Sequence, residues 1–125
     1  MLGLLDKADD DLRLASAFIE LSPEQAGRLA YMATFHAAQA AILAVSGRVP
    51  KTHSGTRHAF GKLVIAESAL GPELGRFLAR AYESKDIADY QTEYRVDPAS
   101  TEQVIEGARQ VVAKVSAFLG RSSPT

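Results

Sequence analysis

Between Ser22 and Gly47 runs the longest apolar stretch of the chain, PEQAGRLAYMATFHAAQAAILAVS. Ser22 can accept from the free N–H groups of a first helical turn, Pro23 suits that turn, and Gln25 would complete a capping box. From there the spacing predicts a helix to about Val45, closed by Gly47 in a left-handed cap. Leu29, Met32, Ala33, His36, Ala40 and Leu43 form its apolar line, and Phe35, Ala37, Ala38, Ala41 and Ile42 widen it. A helix apolar over so much of its girth has to be buried on more than one side. It therefore predicts the central helix of whatever this chain folds into. Its alanines permit close approach by neighbours or by a second subunit, and the Phe35 to Ala41 surface predicts self-association.

The rest of the chain supplies partners of the same kind. Leu5, Ala8, Leu12, Ala15 and Ile19 recur at helical spacing over residues 2–21, with Asp9, Asp10, Asp11, Arg13 and Glu20 on the opposite, solvated side. After the connector Arg48-Val49-Pro50-Lys51, Thr52 or Ser54 starts a third helix with Phe60, Leu63 and Val64 inward, fading near Ser68. Leu70-Gly71-Pro72-Glu73 breaks the chain and restarts it, and Leu74, Phe77, Leu78, Ala81 and Tyr82 form the inward line of a fourth helix. Residues 91–99 read as a loop. Pro98 with Ser100-Thr101-Glu102-Gln103 marks the start of a last helix, whose inward line is Val104, Ala108, Val111, Val115 and Leu119, stopped by Gly120. Short connections favour antiparallel neighbours. The pattern predicts an all-α fold, an antiparallel up-and-down bundle of four to five helices. It forms a single domain over residues 1–125, with 121–125 as a frayed tail.

Composition removes several classes of function. The 125 residues suit one domain, and a net charge of −1 argues against a strongly basic nucleic-acid binder. Cysteine is absent, which excludes disulfides, thiolate catalysis and cysteine-based zinc sites. The beginning has neither a basic region nor a long apolar region of a signal peptide. No run reads as the ~20 apolar residues of a membrane span, so the expectation is a cytoplasmic protein with no membrane contact. There is no phosphate-binding glycine loop and no His-Glu-x-x-His helix. His36, His53 and His58 are not spaced to share a metal on one helical turn, so neither metal nor cofactor is expected.

The stretch Arg80–Tyr90, RAYESKDIADY, concentrates charge at the end of the fourth helix. Lys85 falls on the apolar line through Leu74, Leu78 and Ala81, and Asp89 lies one turn further, within reach of it. Buried charge is costly unless paired, so the two form either a structural ion pair or the floor of a cleft. Arg80, Glu83, Asp86 and Tyr90 project from the opposite side. His36 reads as a core or interface histidine, or as an acid or base facing a cleft. His53 reads as part of a helix start, or, with Lys51 and Arg57 flanking it, as an anion contact.

The segments Tyr31-Met32-Ala33-Thr34-Phe35-His36-Ala37-Ala38-Gln39-Ala40, Lys51-Thr52-His53-Ser54-Gly55, Phe60-Gly61-Lys62 and Ala88-Asp89-Tyr90 together resemble the HEPN domain (higher eukaryotes and prokaryotes nucleotide-binding). The resemblance spans roughly residues 2–119. It implies an all-α bundle that forms a homodimer, often paired with a minimal nucleotidyltransferase in toxin–antitoxin-like modules. Many members are ribonucleases whose motif is an arginine followed, after four to six residues, by a histidine. No histidine follows Arg80 in that window. The expectation is therefore a chain without that motif and without catalytic residues, binding a nucleotide or RNA through Arg80, Lys85, Asp89, Tyr90, His36, Lys51 and His53. Two alternatives stand beside it. One is a divergent metal-independent endoribonuclease in which His36 or His53 supplies the acid or base. The other is a purely structural helical subunit.

Overall fold

The computed structural model describes the backbone of residues 2–90 and 97–121 and the side chains of 3–86 and 97–121. Five helices follow one another, α1 (Leu2–Phe18), α2 (Pro23–Ser46), α3 (His53–Ala66), α4 (Glu73–Tyr90) and α5 (Pro98–Phe118), with no strand among the described residues. The all-α bundle expected from the sequence is what forms. α2 packs against all four other helices; α1 and α4 also touch α5, and α3 touches α4.

The central position of α2 follows from its composition. Ala26, Ala30, Ala33, Ala37, Ala38, Ala40 and Ala41 are all fully buried. Small side chains on several faces let four helix backbones approach one rod. By length and apolarity alone α2 could cross a membrane, with a mean hydropathy of 1.3 over 18 residues, contrary to the expectation that no run qualifies. Here that apolarity is spent on the other helices. The same burial removes the alanine surface as an argument for self-association, because Ala37, Ala38, Ala40 and Ala41 are consumed within the chain.

Helix ends show where local chemistry was and was not legible. Ser22 caps α2 by accepting from the Gln25 N–H at 3.3 Å, and Gly47, at φ 76°, closes it by donating to the Leu43 carbonyl at 2.9 Å. The reciprocal half of the capping box is missing. The Ser22 N–H instead donates to the Phe18 carbonyl at 2.7 Å, and Gln25 accepts from Arg28. α1 stops at Phe18, and Leu21 beyond it is exposed. α5 starts earlier than expected: Asp97, not the serine–threonine run, accepts from the Ala99 N–H at 3.2 Å. Asp97 wins because Pro98, with no N–H to satisfy, fits the first turn directly behind it.

The end of α5 corrects the expectation of a tail fraying from residue 121. The N–H of Arg121 donates to the Ser116 carbonyl at 2.9 Å and that of Gly120, at φ 75°, to Ala117 at 3.0 Å. This paired closure satisfies the last carbonyls of the helix. The Arg121 guanidinium then reaches α1, where it meets Asp9 at 2.9 Å and Asp6 at 3.3 Å, and it also donates to the Ser116 hydroxyl. The tail expected to fray over 122–125 lies outside the described residues.

Enlarging one of the buried alanines should be costly because the space beside α2 is filled. Ala38→Leu is expected to lower stability by ~1–3 kcal/mol through overpacking, read as a lower urea midpoint with an unchanged slope.

Candidate functional site

Two pairs of side chains, each one helical turn apart, face one another where α2, α3 and α4 meet. Tyr31 and Phe35 come from α2, with both rings buried. His53 and Arg57 come from the first turns of α3. The position of that turn is set by Thr52, whose hydroxyl accepts from the Gly55 N–H at 2.9 Å. A Cβ on residue 55 would lie 2.8 Å from that hydroxyl oxygen and 3.4 Å from the Pro50 Cβ, so the tight start of α3 needs glycine there.

The four side chains and Tyr82 of α4 form one stacked cluster. The His53 ring lies on the Phe35 ring with centroids 4.2 Å apart and an interplanar angle of 15°. The Tyr31 hydroxyl and His53 Nδ1 share a hydrogen bond of 2.8 Å. Tyr31 tilts against Tyr82 at 5.6 Å. Above the Tyr82 ring sits the Arg57 guanidinium, with Cζ 3.6 Å from the ring centroid. This is a close cation–π contact. Arg57 Nη1 is buried and has no hydrogen-bond partner.

The charges of the cluster bear on its titration. Desolvation against the Phe35 face, then repulsion by the Lys85 ammonium and the Arg57 guanidinium, hold the His53 pKa below its ordinary value. The residue is otherwise exposed, so the lost hydration is confined to the stacked side of the ring. Burial pushes the Tyr31 phenol above its ordinary value, against the pull of Arg57 and Lys85. At neutral pH the cluster is thus a neutral imidazole and a neutral phenol beside two cations. With Tyr31 and Phe35 buried, the exposed His53 ring is left for stacking, beside positive charge for an anion.

The residues singled out in the sequence divide among several places. His53 belongs to this cluster, and half-buried Lys85 lies near enough to repel a protonated His53. Arg80 does not, since it stands exposed on the far side of α4. Lys51 is exposed on the connector before α3 and borders a separate groove. His36 turns toward α1, where its Nδ1 meets Asp11 Oδ2 at 2.7 Å. That contact also corrects the reading of Asp9 to Asp11 as a solvated face. Asp11 is only 17% exposed, and Asp9 pairs with Arg121. Burial raises the Asp11 pKa even though the hydrogen bond and charge of His36 act the other way. The side chains of Asp89 and Tyr90 lie outside the described residues, and with them the expected Lys85–Asp89 pair.

Tyr31, Phe35 and Tyr82 do not stand out in the sequence as site residues, and Arg57 does so only as a flank of His53. Their signal was present as the repeated one-turn spacing of Tyr31 with Phe35 and of His53 with Arg57. The arginine–histidine spacing of the ribonuclease motif does occur once, at Arg48 and His53, with four residues between them. It lies on the connector and the start of α3 rather than on α4. Among the described residues no three histidine, aspartate or glutamate side chains gather as a metal site.

A helical bundle with an aromatic and cationic cluster between its central helix and two neighbours defines the structural class. Within it, the HEPN domain matches residues 1–118, and the chain belongs to that family. It is 29% identical over 119 residues to the protein named "Putative toxin MJ0605" from Methanocaldococcus jannaschii, covering 94% of this chain and 87% of that one.

Two measurements check the electrostatics. In a proton NMR titration His53 should ionise below its ordinary 6.5, and Lys85→Gln should move it upward by removing a nearby cation. Because the folded pKa is the lower one, the unfolded chain takes up this proton first as pH falls. The contribution of neutral His53 is present above pH 6.5, declines as pH falls toward the folded pKa and is constant below it. His53→Gln should therefore lose less stability than the wild type between pH 7 and 5, measured by urea unfolding.

Proposed function

We propose that this chain binds RNA or a nucleotide at the Tyr31, Phe35, His53, Arg57, Tyr82 and Lys85 cluster. The observation that carries the reading is the Arg57 guanidinium, 3.6 Å above the Tyr82 ring and with one buried nitrogen unpartnered. Arg57 and Lys85 supply charge for phosphate, and the aromatic and guanidinium planes suit a nucleobase. Family membership and the name of the archaeal relative support a toxin-like role. The resemblance supports a homodimer and a minimal nucleotidyltransferase as partner in a toxin–antitoxin-like module. Lys51, next to the start of α3, is a second phosphate contact in this reading; Arg80 and His36 are left out, because they point elsewhere.

A second reading, endoribonuclease, draws on His53. A neutral imidazole of lowered pKa, spaced from Arg48 as in the ribonuclease motif, is a candidate general base for a 2′-hydroxyl.

Fluorescence anisotropy with labelled single-stranded RNA and with ATP tests the first reading. Arg57→Ala and Lys85→Ala, checked for folding by circular dichroism, should each weaken binding by about tenfold, in the range lost with one base stack or charge contact. Arg80→Ala should change little. A wild-type protein that binds neither RNA nor ATP removes this reading. Gel analysis of the same RNA decides the second: cleavage that persists in His53→Ala would exclude His53 as its base.

A further inference from the structure

A second feature of the molecule is a groove of about 590 Å³ between the end of α2, the connector and α3. Its floor is apolar, made by Ile42, Val49, Pro50, Ala59, Leu63 and Ala66. Arg48, Lys51 and Lys62 stand around it, and among the described residues none of the lining side chains is a carboxylate. The polar side chain there is Ser46, and its hydroxyl is already engaged with the Ile42 and Arg48 carbonyls and the Arg48 N–H. Apolar surface reaches the rim of the groove and beyond: Val45, part of the lining, is 53% exposed, and Ile65, three residues beyond Lys62, is 79% exposed.

We propose that this groove docks an acidic amphipathic helix of a partner protein. The volume suits several aliphatic side chains on one face of a helix, as in other helix-in-groove contacts. A small ligand would need convergent polar groups on the floor to fix its orientation, and Ser46 has none to spare. The three cations ask for carboxylates flanking the apolar stripe, which also steers association. Exposed Val45 on the groove's lining and Ile65 beyond it ask for an occupant wider than a single extended hydrocarbon chain. Arg48 and Lys51 also figure in the proposed RNA site, but Val45 and Lys62 belong to the groove alone, so either assignment can fail by itself.

The probes are three synthetic 18-residue peptides, titrated against the full chain by fluorescence anisotropy. One has a leucine stripe flanked by glutamates, one the same stripe flanked by lysines, and one the glutamate composition with its stripe scrambled. The first should bind at least tenfold tighter than the other two, and less tightly as salt rises. Lys62→Glu should weaken it tenfold or more, as should Val45→Asp, a change at an exposed position. Circular dichroism and urea midpoints of both variants establish that they fold. Absence of binding by the first peptide, equal binding of all three, or indifference to both variants in folded protein would overturn the proposal. So would displacement of the peptide by laurate at equal concentration, which assigns the groove to an acyl chain. Sedimentation that shows self-association of the wild type, abolished by Lys62→Glu, would assign it to a second copy and overturn it as well.

Discussion

Close contact along α2 is the constraint on which the rest of this molecule depends. A rod that touches four neighbours has little room for side chains of its own, and the run of fully buried alanines meets that demand. Large residues on α2 are then placed where neighbours diverge enough to admit them. Tyr31 and Phe35 occupy such a place, between α3 and α4. Packing and site are therefore one arrangement: the close approach that stabilises the bundle also brings His53, Arg57 and Tyr82 onto the two rings.

The polar side chains near the surface follow a consistent logic. Charged and titratable groups that lose water acquire partners, as His36 does with Asp11 and Arg121 with Asp6 and Asp9. These contacts tie α1 to α2 and to the end of α5. Arg57 differs in what it faces: its guanidinium lies over an aromatic ring, and, like Arg121 at Nε, it leaves one buried nitrogen without a partner. An unsatisfied buried donor carries a cost. These aromatic and cationic side chains are what the proposed anionic, planar ligand would meet, although the chain as a whole carries a net charge of −1.

Helix caps show how far local rules reach. Ser22, Thr52, Gly47 and Gly120 act as their types suggest, because a cap involves only the few residues around it. The capping box at Gln25 and the start of α5 did not follow the simplest pattern. In the first, the carbonyl of Phe18 claims the Ser22 N–H. In the second, Asp97 takes the capping role in front of Pro98.

The sequence by itself determined the all-α class, the five apolar stripes, the central place of α2 and the family. Each of these follows from periodicity, from side-chain size or from motifs contained in one segment. It also exposed His53 and Lys85 as residues of interest. Only the tertiary structure decided that these two share a cluster, that His36 belongs to Asp11, and that Arg80 stands apart. Spacing along one helix tells which residues share a face, but not which face of another helix meets it. The stack of His53 on Phe35 joins residues 18 apart in sequence through the turn that Thr52 and Gly55 fix, and the Arg57–Tyr82 contact joins α3 to α4. Those distances are set by how α3 and α4 lie against α2, and that is a property of the packed bundle.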